Sequence, residues 1–433
     1  MSSIFRLPLR LLTALMLAAM MSTYGPAVFG AADAPEVVTV SPADMASQSP
    51  EVAVGADGSI NLVWLGENSA PPNAEQIARI GHSHDSSTNL YFARSTDGGR
   101  SFSPPRQLNP GNGDVWGFSI SKPRIAVGRD GIVHVLYPGN AKNVTSGENE
   151  TVALYVRSRP DTSDFEAPRR LNVDALTDKL VKDDGGSFAT LAVDRSNVVY
   201  AAWIDTRAMS SGELASAALT VSSDGGRTFA PDFEILPAVV CPCCQLMSAI
   251  DDRGRLVIGA RLVDGRFRDN EILAFANRGR KLELRRRISG ARWELEGCPR
   301  KPTALAIHKN LWVAAYYSGA EQPDGVHVVW SEDAGKSWSN PKLLHPGVTL
   351  SDAPVMAFAG KRLHAVWQAR SGANGYRLFT SHSDDGGESF SAPVELPLPP
   401  GVARLPSISP HPDSSLQIAW QHDRSIKTLH WRR

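Results

Sequence analysis

The chain has 433 residues, 42% of them hydrophobic, with 10 Trp and 14 Phe, which is ample for a packed core and too apolar for a disordered chain. Its 45 basic and 45 acidic residues cancel. A chain without net charge offers no electrostatic case for nucleic acid or an anionic membrane surface as a partner.

Arg6 and Arg10 precede an apolar run over residues 11–21, and the small residues Gly30, Ala31 and Ala32 follow. That is the layout of a secretory signal peptide, expected over residues 1–31 and ahead of one domain over 35–433. The run is short for a bilayer span and no later segment is apolar for long enough. The sequence therefore predicts an exported chain, periplasmic or extracellular, with no membrane span after processing.

Glu36-Val37-Val38-Thr39-Val40 reads as a short strand. A turn signal followed by β-formers then recurs, first as Asp57-Gly58-Ser59-Ile60-Asn61-Leu62-Val63-Trp64. Later versions end at Tyr137, Trp203, Ala260, Tyr316, Trp367 and Trp420, making seven strands of one kind. A second phrase is Ser95-Thr96-Asp97-Gly98-Gly99-Arg100-Ser101-Phe102, with clear copies over 222–229, 331–338 and 383–390. Its Asp bonds local amides, its Gly supplies positive φ, and its aromatic anchors the strand that follows, so it is a hairpin turn. Ser158-Arg159-Pro160-Asp161 with Phe165 is a worn copy, and residues 277–282 stand where another has been lost. In the first unit, strands are expected at about 50–54, 60–64, 89–94 and 102–108. Repetition of such a unit at a period of roughly 50 residues predicts an all-β, seven-bladed β-propeller, with six blades as the alternative. The last unit supplies only three strands, and the strand at 36–40 is expected to complete it, closing the disc and hiding two sheet edges.

The eight-residue turns resemble the Asp-box, or bacterial neuraminidase (BNR) repeat, and their placement resembles the sialidase-like propeller superfamily across nearly the whole mature chain. That resemblance implies the fold; the turns are structural and occur in propellers that hydrolyse nothing. Sialidases use an arginine triad for the substrate carboxylate, a Tyr–Glu nucleophile pair and an Asp acid/base. The Phe/Tyr-Arg-Ile-Pro start of that family is missing: Ser49-Pro50-Glu51-Val52 stands near its place with no arginine. Candidates for a clamp are Arg207, Arg261 (or Arg266) and Arg370, in loops after second strands, with Tyr316 or Tyr317 as nucleophile and Glu321 nearby. Loop arginines paired locally with carboxylates are the competing expectation.

Cys241-Pro242-Cys243-Cys244 falls in the crossing between the third and fourth units, and Cys298 in the next crossing. Propeller topology brings both crossings to one face. Two alternatives stand: disulfides, normal for an exported chain with an even cysteine count, or a soft-metal site for a copper or zinc ion. His82 and His84, in the long loop after Trp64, are further ligand candidates on the same face. The cluster is similar to a group of exported sialidase-like proteins with Cys-x-Cys-Cys and a later Gly-Cys-Pro, although Arg300 follows where that group has a histidine. The expected function is binding of a ligand, partner or metal through the central face. The alternatives are an exo-sialidase or related glycosidase acting on acidic sugars, and a scaffold for another exported protein. A glycan, another small ligand or an exported protein is the expected partner.

Overall fold

The computed structural model describes residues 36–67, 88–117, 121–142, 149–160, 164–172, 186–206, 209, 212–348, 351–372 and 375–432. The expected leader, Arg207, His82 and His84 lie outside them. Among the described residues no helix is long and apolar enough to cross a membrane.

The strands fall into seven antiparallel groups of four. The first holds Ser47–Val54, Ile60–Glu67, Thr88–Ser95 and Arg106–Gln107, in that order across the sheet. The groups that follow open on Arg124–Val127, Ser187–Val193, Met247–Ile250, Ala304–His308, Asp352–Ala359 and Ala403–Pro410. The third and fourth groups are joined by a single pair, Val240 with Leu262. In the seventh group Val37–Thr39 pairs antiparallel with Ser425–Trp431, so the two ends of the described chain share one sheet. The opening strand of each group lies against that of the next, and Ala403–Pro410 lies against Ser47–Val54.

Apolar side chains from neighbouring groups fill the space between them. Val63, Leu65 and Phe92 of the first group meet Val135 and Tyr137 of the second. Ala274 and Ile272 of the fourth meet Trp312 and Ala314 of the fifth. A sheet covered on both faces buries every position of its second strand, which is why Val199–Asp205 and Leu416–His422 are buried throughout. An aromatic within six of the second strands belongs to this core: Trp64, Tyr137, Trp203, Tyr316, Trp367 and Trp420 are all 0% exposed. The fourth group has Ala260 there instead.

The eight-residue turns share one hydrogen-bond pattern. Ser95 Oγ donates to Asp97 Oδ1 (2.8 Å) and accepts from Gly99 N (2.9 Å), while Ser101 N and Oγ donate to the Asp97 carboxylate at 3.0 and 2.6 Å. Ser222, Asp224, Gly226 and Thr228 repeat it, as do Ser331, Asp333, Gly335 and Ser337. The fourth strand of the first group begins at Arg106, not at Phe102, because Pro104 and Pro105 have no amide for the ladder. Phe102 packs instead against the cluster of Val52, Ile60 and Trp64. At residues 277–282 a short turn replaces the eight-residue one, with Asn277 and Arg278 at φ 51° and 55°.

Opening strands carry a further repeat. Ser49, Phe188, Ala353 and Leu405 have φ between 47° and 54°, and each marks a bulge before its strand resumes pairing. Three of the four precede a proline: Ser49-Pro50, Ala353-Pro354 and Leu405-Pro406. Lys122-Pro123 and Lys301-Pro302 occupy the corresponding place in the second and fifth groups. At the bulge of the seventh group the carbonyls of Leu405 and Pro406 face Lys122 of the second.

Candidate functional site

Two centres lie at this end of the opening strands. The first is a cavity of 130 Å³, walled by residues of six groups, among them Glu51, Lys122, Arg124, Gln245, Met356 and Ser407. Arg124 Nη1 is 3.0 Å from Glu51 Oε1, and Lys122 Nζ is 4.0 Å from Glu51 Oε2. Lys122 Nζ also donates to the bulge carbonyls Leu405 O (3.2 Å) and Pro406 O (3.0 Å). Burial holds the Lys122 ammonium down to about 8, against a smaller upward pull from Glu51. Two cations thus share one carboxylate in the cavity, leaving an excess of one positive charge.

Glu51 and Arg124 escape a motif-based reading because they sit in opening strands, with Lys122 two residues ahead of one, rather than in the long connecting loops. Ser49-Pro50-Glu51 and Lys122-Pro123-Arg124 place a charged residue directly after a proline in each, and that shared spacing is the signal that would have found them.

The second centre is the cysteine cluster. The tight turn after Phe233–Val240 is closed by Cys244 N donating to Cys241 O at 3.5 Å. Cys243 is bonded to Cys298, which lies exposed in the next crossing. Cys241 and Cys244 are free thiols, buried with Val263. Cys241 Sγ is 3.6 Å from Cys244 Sγ and 3.8 Å from Cys298 Sγ. The sulfurs of Cys241, Cys243 and Cys298 lie within 4.8 Å of one another. With Cys243 and Cys298 joined, only Cys241 and Cys244 keep a thiolate to offer, so a copper or zinc ion requires that the bridge first be reduced.

Arg261, offered above as a substrate clamp, lies buried beneath this cluster at 1% exposure. Its Nη1 and Nη2 donate to Arg268 O (2.7 Å) and Tyr317 O (2.8 Å), and its guanidinium lies 5.1 Å from the Trp293 ring centre. Its charge faces Cys244. Burial raises the Cys244 thiol, but the Cys241 S–H, Arg261 and the amides of Lys301 and Arg300 outweigh it and bring Cys244 down. Cys241 is pushed up, first because Cys244 holds its proton and then by burial.

The remaining candidates do not join either centre. Arg370 is exposed at the end of Arg362–Arg370, opposite Tyr376. Tyr316 OH is 3.3 Å from Glu321 Oε1, as a nucleophile pair requires, yet Tyr316 is fully buried and donates to Ile288 O at 3.2 Å. Glu321 Oε1 in turn accepts from the amides of Gly290 (2.8 Å) and Ala291 (2.9 Å). The pair ties the loop after Lys281–Arg287 to the fifth group, and burial first, then Glu321, raises the Tyr316 hydroxyl.

No protein-family model matches the chain, and no curated protein matches it. Among solved structures it is similar to a polysaccharide lyase, an ulvan lyase solved with the saccharide GlcA(1-4)Rha3S, at 14% identity and a TM-score of 0.56, over 91% of this chain and 95% of that one. It is also similar to a mutant NanB sialidase from Streptococcus pneumoniae, at 11% identity and a TM-score of 0.50, over 92% of this chain and 71% of that one. At these identities the likeness is one of fold, all-β and sialidase-like.

Proposed function

We propose that the described residues form a seven-bladed propeller, closed by Val37–Thr39, whose axial cavity binds the acid group of a saccharide. The blade count rests on the seven four-stranded groups and on the mutual contact of their opening strands. The observation that carries the binding role is the pairing of Lys122 and Arg124 with the single carboxylate of Glu51 inside that cavity. A guanidinium offers paired donors to a carboxylate or sulfate, and in a cavity of low dielectric one uncompensated charge is a strong attraction. The acid-sugar chemistry named for the two similar structures is in keeping with this. Export, inferred from the layout of residues 1–31, would place the chain where such saccharides are met.

Calorimetric titration of the purified chain with glucuronate, N-acetylneuraminate, sulfated monosaccharides and neutral sugars tests the reading. Saturable binding of acidic sugars alone is expected, weakened at least tenfold by Arg124→Leu, strengthened by Glu51→Gln and unchanged by Tyr316→Phe. Binding that is absent across the acidic set, or indifferent to Arg124→Leu, overturns it.

A further inference from the structure

The fourth group combines three features found together in no other: a short turn over 277–282 in place of the eight-residue one, Ala260 in place of a core aromatic, and entry and exit crossings that carry all four cysteines of the chain. The sulfurs are arranged in depth. Cys241 and Cys244 form a Cys-x-x-Cys dithiol in the interior, while the Cys243–Cys298 bridge reaches the surface through Cys298. Cys241 Sγ touches both layers, 3.6 Å from Cys244 Sγ and 3.8 Å from Cys298 Sγ.

We propose that the cluster is a thiol–disulfide relay, in which the buried Cys241/Cys244 dithiol reduces the Cys243–Cys298 bridge and delivers an exposed dithiol to a disulfide-bearing partner. In the first step Cys244 takes the Cys241 proton and the Cys241 thiolate attacks Cys298 Sγ. The Cys241–Cys298 bond forms as the Cys243–Cys298 bond breaks, and Cys243 leaves as a thiolate and takes up a proton. In the second step Cys244, again deprotonated, attacks Cys241 Sγ. The Cys241–Cys244 bond forms, the Cys241–Cys298 bond breaks, and Cys298 leaves as a thiolate. One disulfide and two reduced sulfurs are present throughout, so the exchange needs no outside oxidant or reductant. The outcome is a reduced Cys298 at the surface, free to attack the disulfide of a partner, while the oxidised pair is held inside. Reduction of that partner then restores the Cys243–Cys298 bridge with two electrons drawn from the chain, and the buried pair awaits reduction by a small thiol.

The contact distances set the order: exchange within a propeller needs no rearrangement of strands, because attacking and attacked sulfurs are already in van der Waals contact. A simple structural bridge would leave Cys241 and Cys244 inert and has no use for a dithiol behind it.

The test is a disulfide map of the full chain, purified without reductant, equilibrated in a glutathione redox buffer, quenched in acid and alkylated before peptide mass analysis. Among chains with one disulfide and two free thiols, three isomers are expected: Cys243–Cys298, Cys241–Cys298 and Cys241–Cys244. Cys244→Ser removes both the base of the first step and the nucleophile of the second, so it should leave Cys243–Cys298 as the isomer recovered and lower the other two at least tenfold below the native chain. Cys243→Ser should yield Cys241–Cys298 or Cys241–Cys244 without loss of the folded-state circular dichroism spectrum, which separates exchange from misfolding. Recovery of Cys243–Cys298 alone at every redox poise overturns the proposal. So does one copper or zinc ion held per chain, seen by native mass spectrometry, with all four cysteines reduced. Sugar binding in the axial cavity is read by a different assay, so either proposal can fail alone.

Discussion

A tyrosine becomes a nucleophile when substrate can reach its oxygen and something lowers its hold on the proton. Tyr316 has the neighbour that its sequence suggested, Glu321 at 3.3 Å, but it occupies the position filled by Trp64, Trp203, Trp367 and Trp420 in other groups. An aromatic at that register is fixed by the packing of two sheets, and its polar atom must find a partner indoors. Arg261 is likewise buried, its guanidinium held by the carbonyls of Arg268 and Tyr317 and by the Trp293 ring. Both residue types were legible in the sequence; whether they faced a substrate or the core was not. The charges that do face the cavity lead to a pH prediction. Burial lowers Lys122 to about 8, so its ammonium is present below that pH and is lost as pH rises through it. A bound acid group favours the charged form, so affinity for an acidic sugar should hold below pH 8 and fall above it, and Lys122→Met should flatten the profile. Titration calorimetry from pH 6 to 10 measures both.

Elements were easier to read than side chains, because a strand is a pattern and a cavity wall is not. The second strands were legible from their runs of Val, Ile, Leu and aromatics, and the eight-residue turns from their Asp and Gly spacing. The bulges of the opening strands were hidden, since Ser49, Ala353 and Leu405 adopt positive φ without being glycine, and nothing in their chemistry announces it. They are held there by the neighbouring opening strands packed against them. Within the turns the two glycines carry different loads. Gly98, at φ 76°, has nothing within 4 Å of an added Cβ, whereas a Cβ on Gly226, at φ 80°, would fall 1.9 Å from Tyr155 Oη. That hydroxyl is itself 2.6 Å from His134 Nδ1, so it has little room to retreat. Gly98→Ala should therefore cost about 1 kcal/mol, from backbone conformation alone. Gly226→Ala should cost about 3 kcal/mol or more, from steric overlap added to it. Urea unfolding of the two variants makes the comparison; equal losses would mean that the second glycine does not seat one group on the next.

At the scale of the molecule, the sheets are stabilised by apolar contact with their neighbours. Val37–Thr39 is the one strand that comes from outside its own group, and it covers the edge of Ser425–Trp431 through the pairs Val37 with Leu429 and Val38 with Thr428. Ser41 adds a hydrogen bond from Ile426 N at 2.9 Å. Removal of residues 1–41 should lower the melting temperature and leave a sheet edge that associates with other copies. Scanning calorimetry and light scattering measure the two effects, and a truncated chain that melts with the intact one would show that the strap adds nothing. The join between distant parts of the chain was legible because the last unit lacked one strand and the N-terminal segment had one to give. The pairing among the cysteines was not, because topology brings four sulfurs to one place without saying which two share a bond.

That strap also sets a clock on biosynthesis. Lys427 Nζ reaches Thr39 Oγ1 at 2.6 Å across 388 residues of sequence. Ribosomes add about 5–20 residues per second, so Thr39 waits roughly 20 to 80 seconds for its partner to be made. Throughout that interval Val52, Ile60, Leu62 and Trp64 of the early sheets lack Ala419 and Ile426, against which they pack in the finished chain, so apolar surface of the first group stays uncovered until the last strands are made.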